Sequence, residues 1–238
     1  MIMKVNKIIE SFMNMGIHLN ERQAEQFSLY YRELMIWNDK INLTTIVDED
    51  AVLIKHFVDS LLSTKVINFM EVKRLIDVGT GAGFPGIPLK IVYPHIEVVL
   101  LDALNKRIAF LDHIILILDL KNIYAVHGRA EDLARTELRE SFDLCVSRAV
   151  SQLNVLCEYC LPFIAINGLF ISYKGNKTIE ELEHSENAIR ILGGKVESVV
   201  DDILLDSTTN RGFVIIRKEH ITEDRYPRRA GKPLKKPL

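Results

Sequence analysis

The stretch RLIDVGTGAGFPG, residues 74–86, decides the fold. A short apolar run ends in Asp77 and is followed by Gly79, Gly81 and Gly83. Glycine tolerates positive φ and lets the backbone approach a ligand closely, so this spacing predicts a tight turn directly after a strand. Open α/β sheets bind ligands in the crevice beyond the carboxyl ends of their strands. The segment therefore predicts a ligand-binding loop, with a tight turn that binds nothing as the alternative.

Strands and helices alternate on the carboxyl side of this loop. Strand patterns cover residues 96–102, 123–127, 142–147 and 168–173, and helical patterns cover 105–118, 131–138, 150–163 and 178–192. Two further apolar segments, 195–203 and 212–217, are predicted to close the sheet as an antiparallel pair. This alternation is typical of a mostly parallel sheet with helices on both faces, which makes the fold class α/β and doubly wound.

Residues 1–70 are predicted to form a helical extension, followed by a sheet domain at 71–218 and a tail at 219–238. A second helix is expected from residue 48 or 50 to about 63. In the first long helix, apolar side chains recur at helical spacing. They are Phe27, Tyr30, Tyr31, Leu34 and Trp37. Such an aromatic stripe favours core packing over stacking on nucleic-acid bases.

The composition is that of an ordinary soluble globular protein. The 238 residues are 48% hydrophobic and 26% charged, and the formal net charge is −2. This excludes disordered and collagen-like chains. No apolar run approaches the roughly 20 residues that span a bilayer. The amino-terminal sequence has no secretory signal pattern, and three cysteines are too few for a disulfide scaffold, so a cytoplasmic location without membrane contact is expected.

Charge is distributed unevenly along the chain. The tail RYPRRAGKPLKKPL, residues 225–238, holds six basic residues and no acidic one, which leaves −8 on residues 1–224. A basic, proline-broken tail on an acidic body predicts an arm that contacts a polyanion. The alternative is a solvated tail that only aids solubility.

Acidic residues at successive predicted strand ends indicate the class of ligand. Asp77 beside the glycine loop would repel a pyrophosphate but suits a ligand with cationic groups, such as the sulfonium and amino groups of S-adenosylmethionine. Asp102 ends the next strand and is placed to accept both ribose hydroxyls, in NAD and in S-adenosylmethionine alike. Glu131 follows the third strand, where it meets an adenine edge or complements a helix dipole.

Seven motifs together resemble the RsmG (GidB) family of bacterial small-subunit ribosomal RNA guanine-N7 methyltransferases. The motifs are WNDKINLT at 37–44, HFVDSL at 56–61, DVGTGAGFPGIPL at 77–89, GRAED at 128–132, FDLCVSRAV at 142–150, YKG at 173–175 and YPRRAGKPLKKPL at 226–238. They span most of the chain, and their order is far more specific than the glycine loop alone. The one departure is Thr80, where serine is expected.

The resemblance implies the class I methyltransferase fold, a Rossmann-like, mostly parallel seven-stranded sheet, with S-adenosyl-L-methionine as cofactor. It implies cofactor contacts at Gly79, Phe84, Ala130, Glu131 and Arg148. It also implies transfer of a methyl group to N7 of a guanine in the decoding region of 16S rRNA, on the free rRNA or on the small ribosomal subunit.

Missing motifs agree with a ring-nitrogen acceptor. Guanine N7 carries an in-plane lone pair, so its methylation needs positioning and exclusion of water, without a covalent intermediate or an obligatory general base. The Asn/Asp-Pro-Pro-aromatic motif of exocyclic-amine methyltransferases is replaced by Ser147, Arg148, Ala149 and Val150. Cys145 has no preceding proline and is expected to pack in the core rather than to act as a nucleophile.

Basic residues are candidates for binding RNA phosphates. Arg148 ends the fourth strand and is predicted to position cofactor or phosphate. The predicted basic rim and tail contacts are Lys106, Arg129, Lys174, Arg211, Arg228, Arg229, Lys235 and Lys236. For each rim residue the alternative is a solvated surface charge.

Two further pairs carry weaker signals. His56 and Asp59 lie three residues apart on a helix, where they form a proton relay or fasten the extension to the glycine loop. Cys157 and Cys160 lack the partners that zinc needs, so no metal is expected and core packing is favoured.

The chain is expected to be monomeric. The competing functions are an NAD-linked reductase, which lacks support from the glycine spacing, and a non-catalytic rRNA-binding or assembly factor.

Overall fold

A mixed sheet organises the described chain, which in this computed structural model comprises residues 3–175, 178–203 and 210–238. The strands within these ranges are β1 (Arg74–Val78), β2 (Glu97–Asp102), β3 (Ile123–His127), β4 (Phe142–Arg148), β5 (Ile164–Lys174), β6 (Gly194–Ile203) and β7 (Asn210–Lys218). Their order across the sheet is β3-β2-β1-β4-β5-β7-β6. The doubly wound α/β prediction is confirmed.

The strand directions bring the candidate site residues to one edge. Strands β1 to β5 pair in parallel, whereas β7 runs antiparallel to both β5 and β6, as predicted for the last two segments. In the register, Asp77 on β1 lies between Leu100 on β2 and Val146 on β4. The carboxyl ends of the parallel strands, including Asp102 and Arg148, therefore face the same crevice.

Helices cover both faces of the sheet. They are α1 (Val5–Met13), α2 (Glu21–Ile41), α3 (Glu49–Val52), α4 (Asp59–Leu61), α5 (Gly86–Val92), α6 (Asn105–Ile117), α7 (Ala130–Leu133), α8 (Leu153–Cys160), α9 (Thr178–Glu183), α10 (Glu186–Ile191) and α11 (Lys232–Lys235). A π-helical segment, Leu53–Val58, joins α3 to α4, and short 3-10 segments lie at Leu62–Lys65, Phe69–Glu71 and Leu161–Phe163. Within the described ranges, no helix is both long and apolar enough to cross a bilayer.

Three predicted helices differ from the observed ones for local reasons. The helix predicted at 178–192 divides into α9 and α10, because the hydroxyl of Ser185 donates to the carbonyl oxygen of Glu181 and competes with helix continuation. The helix predicted from residue 150 begins at Leu153, because Gln152 has an extended backbone (φ −63°, ψ 154°) and is the N-cap residue. The helix predicted at 131–138 is reduced to α7 and followed by turns.

The helical extension shares a core with the sheet. The predicted face of α2 is buried except for Trp37, which is half-buried, so the stripe belongs to the core. Ring centroids of Phe27 and Phe57 lie 5.0 Å apart, and those of Tyr30 and Phe84 lie 5.3 Å apart. Because Phe84 belongs to the glycine loop, this aromatic cluster joins the extension to the candidate site. The boundaries proposed at residues 70 and 218 stay predictions.

The chain after β7 folds back over the molecule. We call residues 222–238 the C-terminal strap. It includes α11 and buries Thr222, Tyr226 and Pro233. The predicted arm is therefore docked on the body by its apolar side chains, and its contact with a polyanion stays a prediction.

Replacing Phe57 by alanine is expected to destabilise the protein strongly. Phe57 is fully buried between the rings of the extension and Phe84, and truncating such a phenylalanine costs about 3–5 kcal/mol. The measurement is the free energy of unfolding in urea. Leu116→Ala, at a side chain that is 78% exposed, is the control and should change the free energy little. Equal effects of the two substitutions would contradict a shared core.

Candidate active site

Two adjoining cavities lie beyond the carboxyl ends of the strands. The larger, of about 500 Å³, extends from the glycine loop to the extension, and the smaller, of about 320 Å³, extends to the C-terminal strap. They share the lining residues Gly79, Asp102, Ala103, Leu104 and Val150. The two volumes therefore form one cleft centred on the ends of β1 and β2.

The glycine loop owes its shape to Asp77 beneath it. Asp77 is fully buried, and its Oδ2 accepts hydrogen bonds from Thr80 Oγ1 at 2.7 Å and from the Gly86 amide at 2.8 Å. Gly79 has a φ of 74°, and a Cβ there would lie 2.4 Å from a methyl carbon of Val150. Neither Asp77 nor Gly83 lines the cleft, so both support the conformation of the loop without facing the cleft.

Asp77 has an unusual electrostatic environment. Burial raises its pKa to about 7, against the lowering effects of the hydrogen bonds from Thr80 and Gly86. Its Oδ1 finds no hydrogen-bond partner among the described residues. The unused oxygen is an acceptor without a partner beneath the glycine loop, and the contact of Asp77 with a cationic ligand group stays a prediction.

Asp102 lies at the junction of the two cavities. Its Oδ2 accepts from the Gly81 amide and from Arg107 Nη1, both at 3.0 Å, and its Oδ1 accepts from the Leu104 amide at 2.9 Å. These contacts fix the carboxylate while it lines both cavities. Asp102 is therefore accessible from the cleft, and its role as a ribose acceptor stays a prediction.

The smaller cavity is the apolar end of the cleft. Ala130 and Glu131 line it together with Tyr159, Gly231 and Leu234. Glu131 Oε1 accepts a hydrogen bond from the Gly231 amide at 2.9 Å. The carboxylate predicted to meet adenine therefore also holds the C-terminal strap.

The mouth of the larger cavity is built around Arg148. Its Nη1 donates to Asp59 Oδ2 at 2.6 Å and to the Lys55 carbonyl oxygen at 3.2 Å. Arg211 Nε donates to the other oxygen of Asp59 at 2.5 Å. The guanidinium carbon of Arg148 lies 5.1 Å from the ring centroid of Phe84. Asp59 thus orients two arginines, and Arg148 reaches the cavity lining.

His56 contributes a neutral ring to the same mouth. It stacks on Phe84 with centroids 4.6 Å apart, its Nε2 lies 2.8 Å from Thr44 Oγ1, and Arg148 Nη2 lies 3.3 Å from its Nδ1. Burial, reinforced by the charge of Arg148, lowers the pKa of His56 to about 3. The positions of His56 and Asp59 agree with a structural role, because each contacts Arg148 across the junction between the extension and the sheet.

The predicted basic residues divide into some that are exposed and some that form internal ion pairs. The first group is exposed to solvent. Lys106 and Arg129 are exposed near the cleft, and Arg229, Lys235 and Lys236 are exposed on the C-terminal strap.

Three predicted rim or tail residues make internal ion pairs instead. Lys174 is buried and donates to Glu181 at 2.6 Å, Arg211 binds Asp59, and Arg228 binds buried Glu158 at 2.6 Å. The exposed basic rim is therefore smaller than the sequence predicted, because acidic partners distant in sequence were not foreseen.

Several lining residues were not predicted as site residues, and four of them have side chains that shape the cleft. They are Thr44, Val150, Tyr159 and Leu234. Thr44, Val150 and Leu234 belong to motifs that carry the family resemblance, which was the available signal. Cys145, Cys157 and Cys160 are buried in the core, as predicted.

The site residues fit a nucleoside cofactor with a cationic end. Asp102 offers a fixed carboxylate at the centre of the cleft, Asp77 has an unused buried acceptor, and the smaller cavity is walled by Tyr159 and Leu234. The backbone of Gly79 packs closely against Val150, where a Cβ would collide with that side chain. Apolar walls with a few fixed polar groups are typical of cofactor sites.

The fold is shared with solved structures of cofactor-bound proteins. The cofactor-bound protein Rv0187 from MTB superimposes with a TM-score of 0.57 at 16% identity, over 81% of this chain and 91% of that one. M. jannaschii TYW2 in complex with AdoMet gives 0.53 at 15% identity, over 67% and 76%. The strand order is that of the class I S-adenosylmethionine-dependent methyltransferase fold.

The family is shown by sequence. The GidB family, described as rRNA small subunit methyltransferase G, matches residues 23–204, and the chain belongs to this family. Relatives named "Ribosomal RNA small subunit methyltransferase G" are 49% identical in Lachnoclostridium phytofermentans, over 97% of this chain and 96% of the relative, and 47% identical in Acetivibrio thermocellus, over 99% and 98%. The predicted family, fold, enzyme class and cofactor are confirmed.

Gly79→Ala is expected to weaken binding of S-adenosylhomocysteine far more than Gly81→Ala, measured by calorimetry. Both glycines have positive φ, but only at Gly79 would a Cβ meet Val150. A displacement of about 1 Å at such a loop can cost on the order of 100-fold. Adding Val150→Ala should partly restore binding to Gly79→Ala. Equal losses for the two glycine variants would show that backbone strain alone decides the effect.

Asp77→Asn is expected to change how stability depends on pH. The pKa of Asp77 is about 7 in the folded state and 3.8 in the unfolded state. Between these two pH values the folded wild type therefore binds one more proton than the unfolded chain. Its free energy of unfolding should therefore fall relative to the variant as pH rises from about 4 to 7, by at most about 1.4 kcal/mol per unit. Urea titrations across this range give the difference, and a constant difference would contradict the raised pKa.

Proposed function

We propose that this chain transfers a methyl group from S-adenosylmethionine to N7 of a guanine in 16S rRNA, in the decoding region of the small ribosomal subunit. The methyltransferase class rests on the family, and the names of the relatives support small-subunit rRNA as the substrate. The choice of N7 rests on one observation, which is the chemistry of the side chains at the mouth of the cleft.

None of the three candidate bases near this mouth, His56, Asp59 and Asp77, is suited to remove a proton from the acceptor. His56 has a pKa of about 3, so it is neutral at physiological pH and a weak base. Both carboxylate oxygens of Asp59 bind arginines. Asp77 lies beneath the glycine loop and outside the cleft lining. An acceptor that needs no deprotonation matches this environment.

The described cysteines do not offer the nucleophile that pyrimidine C5 methylation uses. Cys145, Cys157 and Cys160 are all buried. Burial raises the pKa values of the Cys157 and Cys160 thiols well above the ordinary range, which disfavours the reactive thiolate. The remaining candidate is an acceptor that already carries an available lone pair, as guanine N7 does.

The residues of the mouth act by positioning. When bound, S-adenosylmethionine supplies a methyl group on a positively charged sulfur. Asp59 and the Lys55 carbonyl hold Arg148, which then binds a phosphate or the cofactor without moving. Thr44 and Arg148 engage the two ring nitrogens of His56, which keeps its ring against Phe84 and closes the mouth to water. The bound cofactor would offer its methyl carbon in line to the N7 lone pair, so that an N–C bond forms as the C–S bond breaks and S-adenosylhomocysteine leaves as a neutral thioether.

The exposed basic residues are proposed to bind the RNA backbone. Lys106 and Arg129 flank the cleft, and Arg229, Lys235 and Lys236 extend the positive surface along the C-terminal strap. We further propose that the enzyme acts as a monomer in the cytoplasm on rRNA or on the small subunit. The guanidinium of Arg228 serves the fold instead, through Glu158.

Labelled S-adenosylmethionine and small subunits from cells lacking this activity provide the test. Digestion of the rRNA to nucleosides and mass spectrometry should reveal 7-methylguanosine. Asp102→Asn, which alters the central carboxylate of the cleft, should abolish the signal together with cofactor binding. Label in another nucleoside would contradict the N7 assignment. No label despite intact cofactor binding would favour a non-catalytic assembly factor.

A further inference from the structure

The C-terminal strap is fastened to the body by arginines of the segment after α7. Arg139 donates to the carbonyl oxygens of Thr222 at 2.6 Å and of Tyr226 at 2.9 Å. Arg135 donates to the carbonyl oxygen of Pro227 at 2.5 Å. These hydrogen bonds end on backbone carbonyl oxygens, so they fix the backbone of the strap whatever side chains it carries.

A buried ion pair adds the strongest anchor. Glu158 on α8 is 1% exposed, and both of its oxygens accept from the guanidinium of Arg228 at 2.6 to 3.1 Å. The Arg228 amide donates to the same carboxylate at 2.7 Å. Breaking such a pair would leave a buried charge without a partner, so this end of the strap is fixed.

Beyond this anchor the strap becomes part of the cleft. The Gly231 amide binds Glu131, and Gly231 and Leu234 line the smaller cavity opposite Ala130. Leu234 is 63% exposed and faces this cavity, where Tyr159 supplies a second apolar wall. A ligand in the cavity would cover the leucine and remove apolar surface from water.

The same short segment carries exposed positive charge. Arg229, Lys232, Lys235 and Lys236 are all exposed, and residues 225–238 include no acidic residue. The lysines flank Leu234 directly in sequence and, with it, lie on or next to α11. A polyanion bound by these side chains would therefore contact the segment that walls the cavity.

We infer that the C-terminal strap is a shared element of two sites: Leu234 packs against the bound cofactor, and RNA phosphates held by Lys235 and Lys236 tighten cofactor binding. The coupling is reciprocal, so bound cofactor strengthens RNA binding by the same factor. The RNA half of this inference rests on the proposed function. The contact between Leu234 and the cofactor does not rest on the proposed function, because it depends only on the lining of the smaller cavity.

The first test measures cofactor affinity without RNA. Leu234→Ala should weaken the binding of S-adenosylhomocysteine about fivefold in calorimetry, as expected for losing part of one apolar contact. Leu116→Ala is the matched control, because that leucine is exposed on α6 and outside both cavities. Equal affinities for the two variants would overturn the assignment of Leu234 to the cofactor site.

The second test measures the coupling. Saturating 16S rRNA transcript should tighten S-adenosylhomocysteine binding to the wild type, at least about threefold. For the double variant K235A/K236A, the ratio of the affinities with and without RNA should fall to about one, which is loss of the enhancement. The double variant K4A/K73A, at two exposed lysines, is the charge-matched control and should keep it. No enhancement in the wild type, or the same enhancement in both double variants, would overturn the coupling.

These outcomes are independent of the acceptor atom. If the nucleoside digest yields a methylated product other than 7-methylguanosine while Leu234→Ala weakens cofactor binding, the proposed function fails and the wall assignment stands. If 7-methylguanosine forms and Leu234→Ala binds cofactor like the wild type, the proposed function stands and the assignment of Leu234 to the cofactor site fails.

Discussion

The organisation of the site depends on one buried carboxylate. Asp59 is fully buried, and its two oxygens bind Arg148 at the end of β4 and Arg211 on β7. A buried charge is tolerated only when it is paired and hydrogen-bonded, so the three residues specify one another's positions. Because Asp59 belongs to the extension and both arginines to the sheet, this cluster fixes the extension over the carboxyl ends of the strands.

The cleft is consequently assembled from three parts of the chain. The sheet supplies the glycine loop and Asp102, the extension supplies Thr44 and His56, and the C-terminal strap supplies Leu234. Each part is held by its own buried polar contact, through Asp77, Asp59 and Glu158 respectively. Residues of six of the motifs, at 37–44, 56–61, 77–89, 128–132, 142–150 and 226–238, line the cleft, which places widely separated parts of the sequence at one site.

Local patterns were sufficient to predict the sheet, the glycine loop and the strand-end residues. Apolar periodicity and glycine spacing are properties of short segments, and parallel strands bring their carboxyl ends to one edge wherever they pair. The pairing of Lys174 with Glu181 and of Arg228 with Glu158 was not predicted. Sequence charge does not distinguish a solvated lysine or arginine from one that a tertiary contact has buried. The neutral state of His56 likewise depends on burial against Phe84, which no local pattern encodes.

A crystal structure with S-adenosylhomocysteine bound is the most direct test of this account. We expect the ligand to span both cavities, with Asp102 on its ribose, Leu234 against its adenosine end and its sulfur facing the mouth formed by His56 and Arg148. The Asp59 cluster should be unchanged. A ligand bound outside this cleft, or an extension displaced from the strand ends, would contradict the account.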